Sequence, residues 1–596
     1  MAHNKYFQDE LNYLRELGAQ FAEHNPSLAK LLSEEGDDPD VERLFEGFAF
    51  LTGRIRQKLD DELPEISHSL IELLWPNYLR PVPAMSILEF TPRKHILSEC
   101  VTIKRGARVQ SAEVDGTPCI FQSCYDVEVS PIRLSAAHTK DKTNGTELLL
   151  EFTVEPGVDT KAIGLNDLRL FLHDNQKIPV ANALYLSFFR YLNHFDIHIN
   201  YVDGSKETVK GLDKHAVKQV GFDDDENLLP SSEKVFSGYR LIQEYFQFQN
   251  KFLFIDVCDI GTHIQKEKVE SFSLQFNFSK LFTNNINLSK EHFKLFCTPI
   301  VNLFEFDATP IRKDNLRIEY VLRPETRNQS HYEIFSVNEV VGKLKGATQN
   351  NIYVPYEEFE HHDEEYSDDA PCFYKIRTVP ATVGDGVDHY IYLHNPQLEE
   401  QGLNQETISA QLTCSNRHLA TTLQTGQIAY DTGDSPDIVT FKNITKTTNA
   451  LPPPFEKSLH WRLISNLALQ YKSLNSVEAI RLLIKYYDFA AFDNRQKQRS
   501  NQQMYEGIEN IDIQNYDRLI KGVPVTGLKT VLRLRESKFG AKGIVGESNM
   551  FLFASVLNHY FAQYARTNSF HVLEVHAIES GEIYQWDREQ GLKARF

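Results

Sequence analysis

The stretch from Asp38 to Pro83 constrains the fold more than any other part of the chain. Asp38 is placed to cap a helix that opens with Pro39, where a missing N–H has no cost and acidic neighbours suit the helix dipole. Apolar residues follow at three- and four-residue steps, namely Val41, Leu44, Phe48, Leu51, Ile55 and Leu59. This spacing predicts one apolar stripe on a helix of about six turns.

Pro64 begins a second apolar stripe in the same stretch, formed by Ile66, Leu70, Leu73 and Leu74. The pattern ends at Trp75-Pro76 and at Arg80-Pro81-Val82-Pro83, because these prolines forbid further helix. We therefore predict a helical hairpin with a stiff extended exit. We predict that an aspartate in place of Leu44 or Phe48 destabilises the N-terminal region, because an unpaired charge on an apolar stripe is costly to bury. The sequence leaves open whether the first stripe packs within one chain or against another.

Residues 6–35 are predicted to form two further helices, the second opened by Asn25-Pro26 and closed by Gly36. The first helix carries a seam with alternating steps of four and three, as in a coiled coil. That seam fits either its own hairpin or a partner helix, and the sequence favours its own hairpin. The candidate interface residues from the seam and the first stripe are Phe7, Leu11, Leu14, Phe21, Leu44, Phe48, Leu51 and Ile55.

Beyond the hairpin, the pattern changes to the period of two that is typical of strands, as in HFDIHINYV at 194–202. A new strand register follows Cys297-Thr298-Pro299, which indicates a boundary there. The prolines at 452–454 indicate a stiff linker. Helical patterns then return, with a polar, basic loop expected at 492–503 and a strong helix at 548–567.

A chain of 596 residues exceeds one ordinary core, since domains average roughly 150 residues. The expected fold class is multidomain α+β. The predicted domains are a helical N-terminal region at 1–83, a mainly β domain at 84–298, a second β-rich domain with an acidic loop at 299–455, and an α+β C-terminal domain at 456–596.

Charge and composition narrow the class of protein. A net charge of −19 argues against nucleic acid as a partner, since that needs a concentrated basic footprint. No run of about eighteen apolar residues occurs, and the N-terminus is a charged amphipathic segment and not a signal peptide. We expect a cytosolic protein without membrane insertion. Seven cysteines without metal-ligand spacing predict buried free thiols.

Motifs that bind phosphate are missing or incomplete. Gly342-Lys343 is followed by Leu344, which lacks the hydroxyl that a P-loop needs. Gly384-Asp385-Gly386 has no third glycine. The segment GAKGIVGES at 540–548 precedes a helix and is the better candidate for an anion site, although a flexible turn feeding a helix is favoured. We predict no cofactor-binding residues.

Signatures of hydrolases and metalloproteases are also absent from the sequence. His194 and His198 lie on a predicted strand, about 13 Å apart at that spacing, too far to share a metal. His361 and His362 sit in the acidic run at 357–369, where a solvated loop is favoured over a weak metal site. We predict no catalytic and no metal-ligating residues.

Several segments together resemble one known family. They are YFQDELNYLRELGAQFAEHNP, DPDVERLFEGFAFL, LWPNYLRPVPAMSILEF, YRLIQEYFQFQNKFLFIDV at 239–257, CTPIVNLFEFDATPI at 297–311, and GESNMFLFASVLNHYFAQYARTNSFHVLEV at 546–575. In this order they resemble the TssF family of type VI secretion baseplate subunits, also called VasA or ImpG. The resemblance spans essentially the full chain.

This resemblance implies a structural role and no catalysis. Members of the family are similar in role to the wedge proteins of contractile phage tails, with two copies joining one TssG. Six wedges are expected around the spike hub, with TssK linking them to the membrane complex and TssE linking them to the sheath. The implied location is cytoplasmic, at a baseplate docked on the inner membrane.

Two other classes stay open from the residues alone. A carbohydrate-binding or other ligand-binding β protein would bind oligosaccharide as an isolated chain. A hydrolase with an acidic cleft would lose turnover when one carboxylate is replaced.

Overall fold

The structure is a computed structural model of the chain. It describes Phe7, Leu11, residues 43–44 and 46–53, and residues 64–591 with gaps at 94–95, 160–162, 175–179, 231–235, 265–267, 283–287, 314–316, 345–349, 357–371, 382–385, 396–405, 434–437, 456–462, 465–475, 521, 542 and 566–568. Two compact units are present. One comprises Met1–Ile71 with Glu456–Ile464, and the other comprises Glu72–Phe455 with Ser465–Phe596.

Helices are concentrated near the two ends of the chain. Residues 46–53 are helical. The α-helices with defined bounds in the described residues are α1 (Pro64–Leu74), α2 (Val180–Leu186), α3 (Ser237–Gln247), α4 (Val477–Tyr487), α5 (Phe489–Asp493), α6 (Arg495–Glu506) and α7 (Ile544–Ala562). A π-turn, Ser187–Tyr191, extends α2.

Strands dominate the rest of the described residues. The first thirteen are β1 (Met85–Pro92), β2 (Val101–Ile103), β3 (Arg108–Val114), β4 (Thr117–Ser123), β5 (Val127–Val129), β6 (Ile132–Lys142), β7 (Gly145–Val154), β8 (Asp167–Leu172), β9 (Leu192–Tyr201), β10 (Lys206–Asp213), β11 (Val217–Gln219), β12 (Phe254–Cys258) and β13 (Val269–Phe278). The next twelve are β14 (Phe293–Leu295), β15 (Cys297–Val301), β16 (Phe304–Asp307), β17 (Ile311–Lys313), β18 (Glu319–Leu322), β19 (Glu333–Leu344), β20 (Asn350–Pro355), β21 (Cys372–Pro380), β22 (Val387–His394), β23 (Glu406–Ser415), β24 (Ile428–Asp431) and β25 (Val439–Asn443). The last five are β26 (Ile508–Ile520), β27 (Val523–Leu534), β28 (Phe570–Ala577), β29 (Ile583–Gln585) and β30 (Glu589–Gln590). The chain is therefore mixed α+β and strand-rich, as predicted.

A six-stranded sheet joins parts of the chain that are far apart in sequence, in the order β24-β3-β4-β15-β1-β25. Strand β1 pairs antiparallel with β15, with Leu88 opposite Thr298, and with β25, with Phe90 opposite Phe441. The boundary predicted between residues 298 and 299 falls inside β15. That boundary was wrong because the pairing with β1 continues across Pro299, and a sequence pattern does not show long-range pairing. The other predicted domain boundaries stay predictions.

The chain between β15 and β24 forms an eight-stranded sheet with the order β16-β23-β19-β20-β21-β22-β18, and β17 also pairs with β23. One face of this sheet carries a buried cluster that includes Val340, Tyr353, Ile391, Ile408 and Leu412. Because successive strand residues point to opposite faces, this period-two burial gives the sheet its own core. The sheet is thus an insertion between two strands of the six-stranded sheet.

Two buried asparagines lie at the junction of these two sheets. Asn302 follows β15, where the chain leaves the six-stranded sheet, and Asn416 follows β23, where it returns. The Asn302 amide donates to Asn416 Oδ1 at 2.9 Å and to the carbonyl of Ile120 at 2.7 Å. The Asn416 backbone N–H donates to Asn302 Oδ1 at 2.7 Å, and the Ile120 N–H donates to Asn416 Oδ1 at 3.1 Å. These bonds tie both crossings of the chain to β4.

Three smaller sheets complete the middle of the chain, with the orders β10-β9-β13-β7-β6, β11-β12-β8-β14 and β2-β5. In the first of these, Phe152 of β7 lies opposite Phe272 of β13, and their rings stack at 4.8 Å. Both side chains are buried. The alternation that predicted β7, β9 and β13 therefore reflects one buried face of this sheet.

A buried ion pair lies between α3 and the turn that follows it. Lys251 donates to Glu244, and neither side chain is exposed beyond 1%. The other oxygen of Glu244 accepts from the Leu228 N–H at 2.8 Å. Burial lowers the pKa of Lys251, and the Glu244 carboxylate opposes that shift. Because each charge compensates the other away from water, neither can be removed alone without a large loss of stability.

The C-terminal part has a sheet with the order β26-β27-β28-β29, and β30 also pairs with β28. Helix α7 contacts this sheet and buries Phe553, Leu557 and Phe561, as its periodicity predicted. Helix α4 also begins as predicted, since Ser476 Oγ accepts from the Ala479 N–H at 3.3 Å.

Residues 492–503, which we expected to form a loop, lie largely within α6. Asn494 caps this helix, and its Oδ1 accepts from the Gln496 N–H at 2.8 Å. The described side chains of α6 are exposed except at its end, where Met504 and Tyr505 are buried. The prediction was wrong because α6 is anchored by its cap and by its last turn. Such a helix has no apolar stripe along its length, and the sequence pattern therefore does not indicate a helix.

We expect Asn302→Ala to lower the free energy of unfolding by about 2–4 kcal/mol, because it leaves buried partners on β4 and Asn416 unsatisfied. Asn416→Ala should have an effect of similar size. The control is Asn338→Ala, since Asn338 is exposed and accepts only from surface hydroxyls. Urea unfolding of the full chain measures all three variants, and equal midpoints for Asn302→Ala and Asn338→Ala would contradict the proposed importance of the junction.

Lys251→Met should destabilise the chain by about 3–5 kcal/mol, because Glu244 is left buried without a counter-charge. Combining Lys251→Met with Glu244→Gln should recover most of this loss, since the neutral amide keeps an acceptor for the Leu228 N–H. The same unfolding measurement tests both variants. A double variant as unstable as Lys251→Met alone would show that packing and not charge governs the site.

Candidate assembly interface

The helix at residues 46–53, with Leu44 before it, presents large apolar side chains to solvent. Leu44 is 70% exposed, Phe48 57% and Leu51 59%. Positions 44, 48 and 51 follow each other at steps of four and three, so they share one helix face. Phe50 beside them is also exposed. We call Leu44, Phe48 and Leu51 the exposed stripe.

Two small residues of this helix are buried, whereas Gly47 is exposed. Ala49 is 0% exposed, and Gly53, four residues later, is also buried. The prediction that aspartate at Leu44 or Phe48 is destabilising assumed a buried position, and the exposure of both side chains contradicts that premise. Small residues allow close approach of the helix backbone, and this leaves the larger apolar side chains pointing outward. The sequence pattern located the stripe but did not decide whether it packs within one chain or against another.

The other candidate interface residues have different surroundings. Leu11 is buried and Phe7 is half-buried. Leu14, Phe21 and Ile55 lie outside the described residues. The eight candidates are therefore not shown to form one surface.

The proline exit of the hairpin is anchored in the larger unit. Trp75 is buried, and the centroid of its ring lies 6.0 Å from the ring centroid of Tyr239 and 6.2 Å from that of Tyr487. Val82 and Leu451 exchange backbone hydrogen bonds at 2.8 and 2.9 Å. This two-residue bridge fixes the extended exit that the prolines predicted. Leu73 and Leu74, which precede the exit, are exposed.

The turn before α7 does not offer an anion site. The Gly546 N–H donates to Ala541 O, and the Glu547 N–H donates to Gly543 O, so backbone donors of the first turn already have partners. The Glu547 carboxylate accepts from the hydroxyls of Tyr191 and Tyr584 at 2.8 and 2.9 Å. A helix start that carries its own carboxylate disfavours a further anion. The structure thus agrees with the simple turn that the sequence favoured.

Of the histidines considered as metal ligands, His198 instead makes hydrogen bonds within a sheet. His198 on β9 makes hydrogen bonds to Thr208 at 3.1 Å and to Gln275 at 2.9 Å. His361, His362 and Gly384-Asp385 lie outside the described residues. Among the residues that the structure describes, no group of three or more His, Cys, Asp or Glu side chains could hold a metal ion.

All seven cysteines are free, and six of them are buried. Burial raises the pKa of Cys119 to about 11 and that of Cys124 to about 12. A buried thiol with a raised pKa is a poor nucleophile. These cysteines therefore act as small core residues, as the sequence predicted. In the described part of the chain, no helix is long and apolar enough to cross a membrane.

Comparisons with known proteins agree with this structural character. The family model "Type VI secretion system, TssF" matches residues 2–593. The chain is 28% identical to the type VI secretion system component TssF1 of Pseudomonas aeruginosa over an alignment of 637 positions, gaps included, which covers 98% of each protein.

Two solved structures are also similar. One is a chain of the TssK-TssF-TssG baseplate subcomplex of the type VI secretion system, with a TM-score of 0.76 and 27% identity, covering 93% of this chain and 99% of that one. The other is a chain of the baseplate complex from the type VI secretion system, with a TM-score of 0.66 and 24% identity over 100% of both chains. The second likeness concerns the fold.

These matches first define a class, which is a structural baseplate component of the type VI secretion system and not an enzyme. Within that class, the chain belongs to the TssF family. The resemblance seen in the sequence segments is thereby confirmed across the chain. Sequence reasoning left the direction of the exposed stripe open, and the small residues Ala49 and Gly53 were a signal that could have indicated it.

Phe48→Asp should leave the thermal unfolding midpoint of the isolated chain almost unchanged, because an exposed position tolerates charge. Ala49→Asp should lower that midpoint clearly, since it places a charge at a position that is 0% exposed. Differential scanning fluorimetry compares the two neighbouring variants directly. A larger decrease in the unfolding midpoint for Phe48→Asp than for Ala49→Asp would show that the stripe is buried and not exposed.

Proposed function

We propose that this chain is a structural subunit of the baseplate wedge of a type VI secretion system, in which two copies assemble with one TssG. The observation that carries the proposal is the likeness over 93% of the chain to a chain of the TssK-TssF-TssG subcomplex. Membership of the TssF family supports the same role. Wedges of this composition would support assembly of the sheath and tube around the spike hub.

The exposed stripe is the proposed contact with TssG. Leu44, Phe48 and Leu51 form a row at helical spacing, and such a row docks into the groove of another helix. Large apolar side chains at the centre of an interface contribute most of its binding free energy. All three side chains are exposed in the isolated chain. A partner helix that packs on them would remove their apolar surface from water.

We also propose how the wedge contacts the other components of the secretion system. TssK is proposed as the link between the wedge and the membrane complex, and TssE as the link to the sheath. The chain would therefore work on the cytoplasmic side, at a baseplate docked on the inner membrane. The second copy would use the same surfaces in a different orientation, for which proline-bounded connections such as residues 452–454 provide the means.

Co-expression of the chain with TssG and TssK from the same organism tests the proposal. Native mass spectrometry should show a complex that contains two copies of this chain for each TssG. Phe48→Asp should reduce its yield by about tenfold or more, as expected for a central interface residue. The control is Ile318→Asp, because Ile318 is 84% exposed and immediately precedes β18 in the larger unit.

A wild-type chain that forms no complex with TssG would overturn the proposed function. A complex with one copy per TssG would overturn the stoichiometry. Equal yields for Phe48→Asp and Ile318→Asp would show that the stripe is not the contact surface.

A further inference from the structure

A cavity of about 350 Å³ opens between α7, the π-turn after α2, the start of β11 and the residues around β29. Its lining includes Phe189, Phe551 and Trp586, and the last two rings stack at 5.0 Å. The Trp586 N–H donates to Ser555 Oγ at 3.1 Å, which fixes the indole in place. The cavity therefore has a rigid aromatic wall, and it is distinct from the exposed stripe.

A buried acceptor without a partner lines this cavity. Asn558 on α7 is 1% exposed, and its Oδ1 has no hydrogen-bond partner among the described residues. Its neighbour His559 is already engaged, since its Nε2 donates to Gln219 Oε1 at 3.1 Å, its Nδ1 lies 4.0 Å from the Glu589 carboxyl group, and its ring stacks on Phe222. Buried polar atoms in native proteins are generally paired. Asn558 Oδ1 is thus open to an N–H or O–H donor that enters the cavity.

The rim of the cavity carries positive charge that the described residues do not compensate. Arg190 donates to the carbonyl of Ile583, and Lys214 and Lys218 are exposed, but none of the three has a carboxylate within salt-bridge distance among those residues. Two acids also line the cavity, since Asp587 lies 3.3 Å from His215 and Glu589 lies 4.0 Å from His559. The three cationic side chains outnumber these two carboxylates. On a chain with a net charge of −19, this local excess favours an acidic segment at the rim.

We propose that this cavity receives a tryptophan or tyrosine side chain from an acidic segment of a partner protein. The aromatic ring packs against Phe551 and Trp586, and its N–H or O–H donates to Asn558 Oδ1. Acidic residues beside it meet Lys214 and Lys218. Aromatic side chains that combine a large apolar ring with one donor are the common anchors of protein interfaces. The inference rests on the proposed assembly role, and it adds a second contact surface with its own chemistry.

The test uses the full-length chain and two labelled peptides. One probe is the acidic peptide Asp-Glu-Trp-Glu-Asp, and the matched control has Phe in place of Trp and so lacks the donor. Fluorescence polarisation should show about tenfold tighter binding of the Trp peptide, since a buried acceptor rejects a ligand that cannot pair with it. Failure of the wild-type chain to bind the Trp peptide more tightly than the Phe peptide overturns the inference.

Two sets of variants identify the site. Asn558→Leu should abolish the preference for the Trp peptide without lowering the thermal unfolding midpoint, because the lost acceptor had no partner to leave unsatisfied. Lys214→Glu with Lys218→Glu should weaken binding of both peptides. The charge-matched control is Lys140→Glu with Lys343→Glu, on strands β6 and β19, and it should leave binding unchanged.

The remaining outcomes are decisive. A lowered unfolding midpoint for Asn558→Leu with the Trp preference intact would make Asn558 a structural residue and overturn the inference. If the chain self-associates and Asn558→Leu abolishes that self-association, the cavity binds a second copy of the chain, and this result would also overturn the inference. Failure of this inference is distinguishable from failure of the proposed function, since the wild-type chain would still co-purify with TssG in the first case only.

Discussion

The hydrogen bonds between Asn302 and Asn416 are the contact on which the two largest sheets depend. The chain leaves the six-stranded sheet after β15, builds an eight-stranded sheet, and returns through β24 and β25. Both crossings meet at one pair of amides that have no access to water. Because each amide also bonds to β4, a change in one crossing shifts the other. The two sheets are thereby held as one scaffold, which suits a protein whose role is to hold others in place.

In the described part of the chain, the two features that we propose as contact sites both reach the surface. The exposed stripe of Leu44, Phe48 and Leu51 and the cavity beside Asn558 differ in chemistry. The first is an apolar row, and the second combines aromatic walls, a free acceptor and a basic rim. A subunit that contacts several partners needs surfaces that discriminate between them, and different chemistry at each surface provides that discrimination.

Prediction from sequence succeeded where local periodicity carries the information. The strands β7, β9 and β13 alternate between buried and exposed residues, and α4 and α7 follow helical spacing with recognisable starts. It failed at Pro299, which lies inside a strand, and at α6, whose described side chains are mostly exposed. Both errors have one cause. Local sequence indicates only the tendency of a segment to form a helix, strand or loop, whereas its strand partners and helix caps determine which of these it adopts.

The sequence by itself determined the family, the α+β class, the proline exit after α1 and the positions of the apolar stripe. These depend on residue order within short windows, which periodicity and motif resemblance capture directly. Only the tertiary structure decided that Ala49 faces inward and Phe48 outward, and that β24 and β25 return to the sheet of β1. The physical reason is that burial and strand pairing are set by segments far apart in the chain, which no local window contains.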